Sequence, residues 1–472
     1  MKRCTSAVIF FINVILAIMP IPYYHKITYI NAIKRTIMKS IKQRLNKIGV
    51  ELPSLLVPSE SIDARKWAVV ACDQYTSQKS YWEDLDKEVG DSPSTLRMIY
   101  PECYLGDADS HKRIVAINKA MESYCSSDIF KEFKDSFMLV RRTANSRSRW
   151  GLMVALDLER YSWEKSNRTL IRATEGTILS RIPPRKEIRK DAPLEVPHIL
   201  VLISDEARSV IEPLANKISS LEKAYDTDLM KNGGHLEGWA VNKASDLEQV
   251  TKALEAMEAR LDPENPLLFA MGDGNHSFAT AKSCWEDIKK TLSEKEREGH
   301  PARYCLVELE NIFDEAMVFE PIHRVLFKTS FDQFIGKLAL YCDGFEASLV
   351  DSLSELEAFV SSNDGKQKFG LCKADGLYAI TLENPVATIA AGTLQNVIDD
   401  LGREGHEVDY IHGSDVTNDL GRKEGNLGLI LPAISKATFF DTIIKDGALP
   451  RKTFSMGEAN EKRYYFEARK IR

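Results

Sequence analysis

The sequence predicts an α+β fold of mixed sheets with interleaved helices. Three observations predict it. Short apolar runs such as Phe137–Val140 and His198–Ile203 read as strands. Other stretches repeat apolar residues at helical spacing, as in Leu247, Val250, Leu254, Met257 and Leu261. The two kinds of segment alternate along the chain. The composition agrees: 472 residues, 44% hydrophobic and 28% charged, are enough for a sizeable core. It excludes disordered, collagen-like and multi-span membrane classes. No internal repeat, low-complexity tract or flexible linker interrupts the pattern.

The N-terminal stretch is of a different kind. Residues 1–50 carry nine basic side chains and no acidic one, although acidic residues outnumber basic ones 69 to 63 in the whole chain. Behind Lys2 and Arg3 lies an apolar run, Ala7–Met19, broken only by Asn13. It is shorter than the ~20 residues a spanning helix needs. A basic start with a short apolar run has the pattern of a secretory signal, but Ala17-Ile18-Met19-Pro20 is a poor cleavage site. A signal or anchor, a mitochondrial-type leader, and extra residues ahead of a start at Met38 remain the alternatives. We therefore divide the chain into an extension, 1–37, and a body, 38–472, with the extension dispensable for folding. The body is expected in the cytoplasm. Membrane anchoring or export would depend on residues 1–37.

The body then reads in order. Ile37, Ile41, Leu45 and Ile48 predict a helix around Met38 that stops at Gly49. Trp67–Cys72 reads as a buried strand. Ile114, Ile117, Met121 and Tyr124 predict a helix. Phe137–Val140 and Gly151–Leu158 read as an antiparallel pair joined by a basic turn, Arg141–Arg149. After the strand His198–Ile203, the residues Ile211, Leu214, Ile218, Leu221 and Tyr225 predict a helix. Gly233-Gly234-His235 reads as a turn. Ser245 and Glu248 predict a capping box for the next helix. Leu267–Met271 is a short strand, and Phe278, Ala281, Trp285, Ile288 and Leu292 follow at helical spacing. Arg303–Glu310 is a strand. Helices are expected near Phe331–Tyr341, Leu353–Val360 and Leu394–Leu401, with a loop at 361–366. The eight cysteines show no CxxC pair and no zinc-ligand spacing, and they read as buried reduced thiols.

The passage most suggestive of chemistry is Gly272-Asp273-Gly274-Asn275-His276-Ser277, between a strand and a helix. Glycines let a ligand approach the main chain, and a helix N-terminus offers N–H groups to a phosphate or carboxylate. Gly272, Gly274, Asn275 and Ser277 are thus candidate phosphate ligands. Asp273 is a candidate for holding a metal or a hydroxyl, and His276 for moving a proton. A plain turn in which Asp273 or Asn275 caps the helix explains the same residues. The passage is neither a Walker loop nor GxGxxG. Arg172–Thr177 and Arg181–Lys186 add cations and one carboxylate: Arg172 and Arg185 as oxyanion ligands, and Glu175 as a second proton carrier. His323 and His412 read as structural, and His235 sits in a flexible turn. No serine nucleophile elbow, HExxH or EF-hand pattern occurs.

Several long motifs carry a resemblance: Trp67–Gln78, Arg172–Thr177, Gly272–Ser277, Phe319–Arg324 and Leu449–Glu458. From about Met38 onward the chain resembles the family known as domain of unknown function 1015. A better-known branch of that family has Asp-Gly-His-His-Arg where this chain has Asp273-Gly274-Asn275-His276-Ser277. Asp273, Gly274 and His276 carry over; the first His and the Arg do not. A more distant similarity of the loop to the ParB and sulfiredoxin-like group implies a core of that kind and a phosphate-binding loop. Members of that group bind nucleotides or phosphorylated groups.

Three readings of function follow. The first is an enzyme, a phosphotransferase or hydrolase, acting on a small phosphorylated or nucleotide substrate at Gly272–Ser277, with Mg²⁺ and a nucleotide as candidate cofactors. The second is a non-catalytic small-ligand-binding or regulatory protein. The third is ParB-like DNA binding, which the acidic body opposes because phosphate contacts need clustered cations. A small or phosphorylated ligand is the expected partner, no nucleic acid is expected, and membrane contact is expected only through residues 1–37.

Overall fold

A computed structural model describes residues 23–164 and 167–472. The apolar run Ala7–Met19 lies outside the described residues. Among those described, no helix is long and apolar enough to cross a membrane.

The expected α+β architecture is present. A 10-stranded mixed sheet runs in the order Glu222–Leu229, Gly234–Val241, Phe137–Ala144, Arg147–Asp157, Tyr304–Asn311, Leu200–Ile203, Phe269–Asp273, Ile171–Arg172, Tyr161–Ser162, with Val50–Glu51 paired onto Arg147–Asp157. The first five of that order are antiparallel neighbours. Parallel pairs occur between Leu200–Ile203 and Tyr304–Asn311, and from Phe269–Asp273 outward. One face packs on the helices Tyr23–Lys47, Ala244–Glu258 and Asn275–Ile288 through residues such as Leu45, Leu254 and Trp285. The other face is covered by Trp67, Trp82, Met121 and Phe466, drawn from both ends of the chain.

A second sheet of six strands, all antiparallel, is built from residues 323–430. Helices Phe331–Leu338 and Ala390–Arg403 cover one face, with Phe334, Leu394 and Val397 buried against it. A cluster containing Leu202, Phe319, Phe439 and Phe454 lies beside the strand Leu200–Ile203. The chain then returns to the layer that covers the first sheet. Phe454–Ser455 pairs with Glu320–Pro321, Tyr464–Tyr465 with Val69–Val70, and Arg469–Lys470 with Leu194–Glu195. This C-terminal tail is fixed by buried ions: Arg463 bonds Glu308 and Glu467, and Arg469 lies 2.7 Å from Glu195.

Several expectations need correction. The first helix spans Tyr23–Lys47, longer at its start than the helix read around Met38. Trp67 ends a short helix, Ala64–Trp67, and only Val69–Val70 is strand. Asp63 caps that helix by accepting from the Arg65 and Lys66 N–H groups, and the Trp67 indole N–H donates to the Phe466 carbonyl, 2.8 Å away in the C-terminal tail. The turn expected at Arg141–Arg149 is only Asn145–Ser146, both with positive φ. Such a two-residue turn matches the twist of a hairpin. The basic residues lie in the strands, where Arg142 and Arg149 hold the carbonyls of Asn460 and Glu461.

The helix expected over Ile211–Tyr225 is instead a single helical turn, Glu212–Ala215, a 3₁₀ turn and the strand Glu222–Leu229. In that strand Tyr225, Thr227 and Leu229 are buried while Asp226 and Asp228 are exposed, a period of two that outweighs the helical spacing. The capping box at Ser245 is also absent. Lys243 is the N-cap, and Glu248 turns outward to Arg44 of the first helix at 2.7 Å. The seven described cysteines are free, and Cys72 and Cys125 are only partly buried.

Candidate functional site

The strand Phe269–Asp273 enters the sheet between Leu200–Ile203 and Ile171–Arg172 and ends at the Gly272–Ser277 passage. Gly274 is the N-cap of the helix Asn275–Ile288, with φ 79°. A Cβ there would sit 3.0 Å from Ile199, so both conformation and space require glycine. Glycine has no side chain to cap the helix, and no side-chain cap hydrogen bond is made. The first N–H groups of a helix have no partner within it. Here they open onto a cleft.

That cleft has a volume of about 730 Å³, within the usual range for small-ligand sites. Its walls come from distant parts of the sequence: Asp73, Gln74 and Thr76, then Glu102 and Leu105, then residues between Glu175 and Arg185, then Gly272–Ser277, and Lys452 and Lys462 from the C-terminal tail. His412 reaches it from the second sheet region. Four cations and four carboxylates therefore face one chamber.

Their pairing divides them. Arg185 is ion-paired with Glu102 and its Nη1 donates to the Arg181 carbonyl. Lys462 lies 3.2 Å from Asp273 Oδ2, while the Gly274 N–H donates to Asp273 Oδ1 at 2.9 Å. Lys462 holds the Asp273 carboxyl below its ordinary range despite burial. Among the described residues, Arg181 and Lys452 have no side-chain ion pair, and both are exposed on the cleft.

The two candidate proton carriers differ. His276 Nε2 accepts the Ile178 N–H at 3.1 Å. Burial, with Arg181 and Arg185 nearby, pushes its pKa down to about 4. It is therefore a neutral imidazole with its proton on Nδ1, suited to donating a hydrogen bond rather than accepting a proton. Glu175 accepts the Lys452 backbone N–H at 3.2 Å, and burial raises its pKa above the ordinary glutamate value. Of the two, Glu175 is the better proton acceptor.

Gly272, Asp273, Gly274, Asn275, His276, Ser277, Glu175 and Arg185 thus line one cleft. Arg172 does not join them. It is buried, and its guanidinium is used by the carbonyls of Thr169 and Pro266 and by the Asn265 side chain. Asp73, Arg181, His198, Lys452 and Lys462 belong to or border the site, and sequence reasoning gave them no role. Asp73 and Lys452 lie inside family motifs and Arg181 inside a basic cluster, which could have flagged them. His198 and Lys462 had no local signal. A group able to share a metal ion, Asp226, His235 and Glu237, lies on the hairpin Glu222–Val241 and not in the cleft lining. Lys223 and Arg141 already neutralise it.

The family model described as Protein of unknown function (DUF1015) matches residues 56–401. The chain belongs to this family. No curated protein matches this DUF1015 chain. Among solved structures it is similar to free serine kinase in complex with AMP, at 12% identity and TM-score 0.35, over 68% of this chain and 92% of that one. A conserved hypothetical protein from Pyrococcus furiosus is 11% identical, with TM-score 0.33, over 66% and 90%. SbnI with C-terminal truncation from Staphylococcus aureus is 8% identical, with TM-score 0.29, over 65% and 83%. Likenesses of that size assign no activity to the DUF1015 chain.

Proposed function

We propose that this protein is an enzyme that binds a small phosphorylated substrate, nucleotides included, in the cleft at Gly272–Ser277. The observation that carries the reading is the uncapped N-terminus of the helix Asn275–Ile288, which opens onto a chamber holding Arg181 and Lys452, two cations without an ion pair among the described residues. A helix N-terminus and unpaired cations favour the same charge on a ligand. His276 donates from Nδ1 to a substrate oxygen. Glu175 moves the proton, since its carboxyl lies closer to neutrality than an exposed one.

A magnesium ion brought in with the substrate would be held by Asp273 together with phosphate oxygens. That carboxylate is already engaged by Lys462 and the Gly274 N–H. Charge neutralisation is therefore assigned to the lysines and arginines of the cleft.

Thermal-shift measurements with inorganic phosphate, pyrophosphate and nucleotides test the reading. A ligand at a hundred times its Kd stabilises the fold by about 2.7 kcal/mol. Arg181→Ala and Lys452→Ala should each reduce that stabilisation. Glu175→Gln should keep binding and lose turnover. If no phosphorylated compound at millimolar concentration raises the melting temperature, the proposal fails.

A further inference from the structure

Ser277 Oγ lies 3.0 Å from His198 Nε2, and His198 Nδ1 lies 2.8 Å from the Tyr465 hydroxyl. The Cys72 N–H donates to that same hydroxyl oxygen at 3.1 Å. The phenol oxygen accepts the Cys72 N–H and lies within reach of a proton on His198 Nδ1. With the proton on Nδ1, the Nε2 lone pair faces Ser277. Asp73 Oδ2 stands 3.8 Å from Nε2, placed to steady an imidazolium. A hydroxyl, a base within hydrogen-bond reach and a third group that orients the base are the parts of an activated nucleophile.

The surroundings of Ser277 indicate what it would attack. Ser277, Glu102, Leu105 and Arg185 line the polar cleft and also a second, largely apolar cavity of about 140 Å³. Met121, Ile188, Ala192 and Leu194 also line this annex. A cavity of that size holds a benzene-sized group. The hydroxyl thus stands at the boundary between a phosphate-binding chamber and a pocket for a short hydrocarbon.

We infer that Ser277 is a nucleophile, with His198 as its base, for an acyl phosphate whose short acyl chain enters the annex and whose phosphate lies in the cleft. The inference rests on the phosphate reading of the cleft. Ser277 Oγ forms a bond to the carbonyl carbon, and its proton passes to His198 Nε2. The bond between that carbon and the phosphate oxygen breaks, and phosphate leaves with the electron pair and takes the proton held on His198 Nε2. Water then attacks the acyl-serine. His198 receives the water proton and returns one to Ser277 Oγ, releasing the carboxylic acid.

The test incubates the full chain with butyryl phosphate and follows phosphate release and intact mass. The expected result is turnover with one butyryl group trapped on Ser277. Ser277→Ala should remove the adduct and lower turnover about a hundredfold or more, with its melting temperature preserved. His198→Gln should lower turnover likewise; should it fail to fold, Ser277→Ala alone decides. Ala192→Phe, which fills the annex, should impair butyryl phosphate more than acetyl phosphate. Wild type without a Ser277 adduct, or turnover unchanged in Ser277→Ala, overturns the inference. Stabilisation by inorganic phosphate without an adduct overturns it while the cleft reading stands. An adduct without phosphate binding upholds the nucleophile and removes the cleft reading.

Discussion

His276 and His323 share one device. Each ring accepts a backbone N–H, from Ile178 and from Leu431, so each is held neutral. Burial with neighbouring cations pushes both pKa values down to about 4, against about 6.5 for an unfolded histidine. Between those values the unfolded chain binds more protons than the folded one, so stability rises with pH. The contribution is complete above about pH 6.5 and is lost as pH falls through about 4. The partial exposure of His276 reduces its share, so His323, which is buried, is the better probe. Melting curves between pH 4 and 6.5 should show stability falling on acidification. His323→Asn, which keeps an acceptor for Leu431 but cannot be protonated, should flatten the slope. Equal slopes in the two proteins would disprove the assignment.

Among the elements, the junction of Phe269–Asp273 with Asn275–Ile288 ties fold to site most directly. Gly274 has a left-handed backbone, and a Cβ there would press on Ile199. Gly274→Ala should destabilise by about 1–2 kcal/mol from backbone conformation alone. It should also weaken phosphate binding, because the first turn of the helix must move. Urea unfolding and phosphate titration check the two effects together. A variant of unchanged stability would show that the loop has no need of this conformation. This junction was legible in sequence, since a short apolar run, two glycines and a periodic segment are all local signals. The strand Glu222–Leu229 was not legible. Its residues fit both periods, and pairing with Gly234–Val241 selected the extended one.

At the scale of the whole molecule, the helix Tyr23–Lys47 is anchored by its C-terminal part. Ile41, Leu45 and Ile48 are fully or nearly buried, and Arg44 bonds Glu248 and Glu255 of the helix Ala244–Glu258. All of these follow Met38. A chain of residues 38–472 should therefore fold, with a melting temperature within a few degrees of the full protein. Of the removed residues, Ile37 is only partly buried against the core, so the loss is small. An insoluble or strongly destabilised product would show that the segment before Met38 is part of the fold.

What the sequence determined by itself is what neighbouring residues determine together. That covers the α+β class, about half of the described helices, the central strands and the glycine turn that opens the helix at Asn275. These follow from periodicity and backbone conformation, which act over a few residues. The tertiary structure decided what depends on chain return. The tail from Phe454 to Lys470 brings Lys462 to Asp273 and Tyr465 to His198, which its position more than 180 residues downstream does not show. It also decided that Arg172 serves the scaffold while Arg181 faces the cleft. Two arginines nine positions apart look alike in sequence, and only the groups packed around each guanidinium settle whether its charge is spent or free.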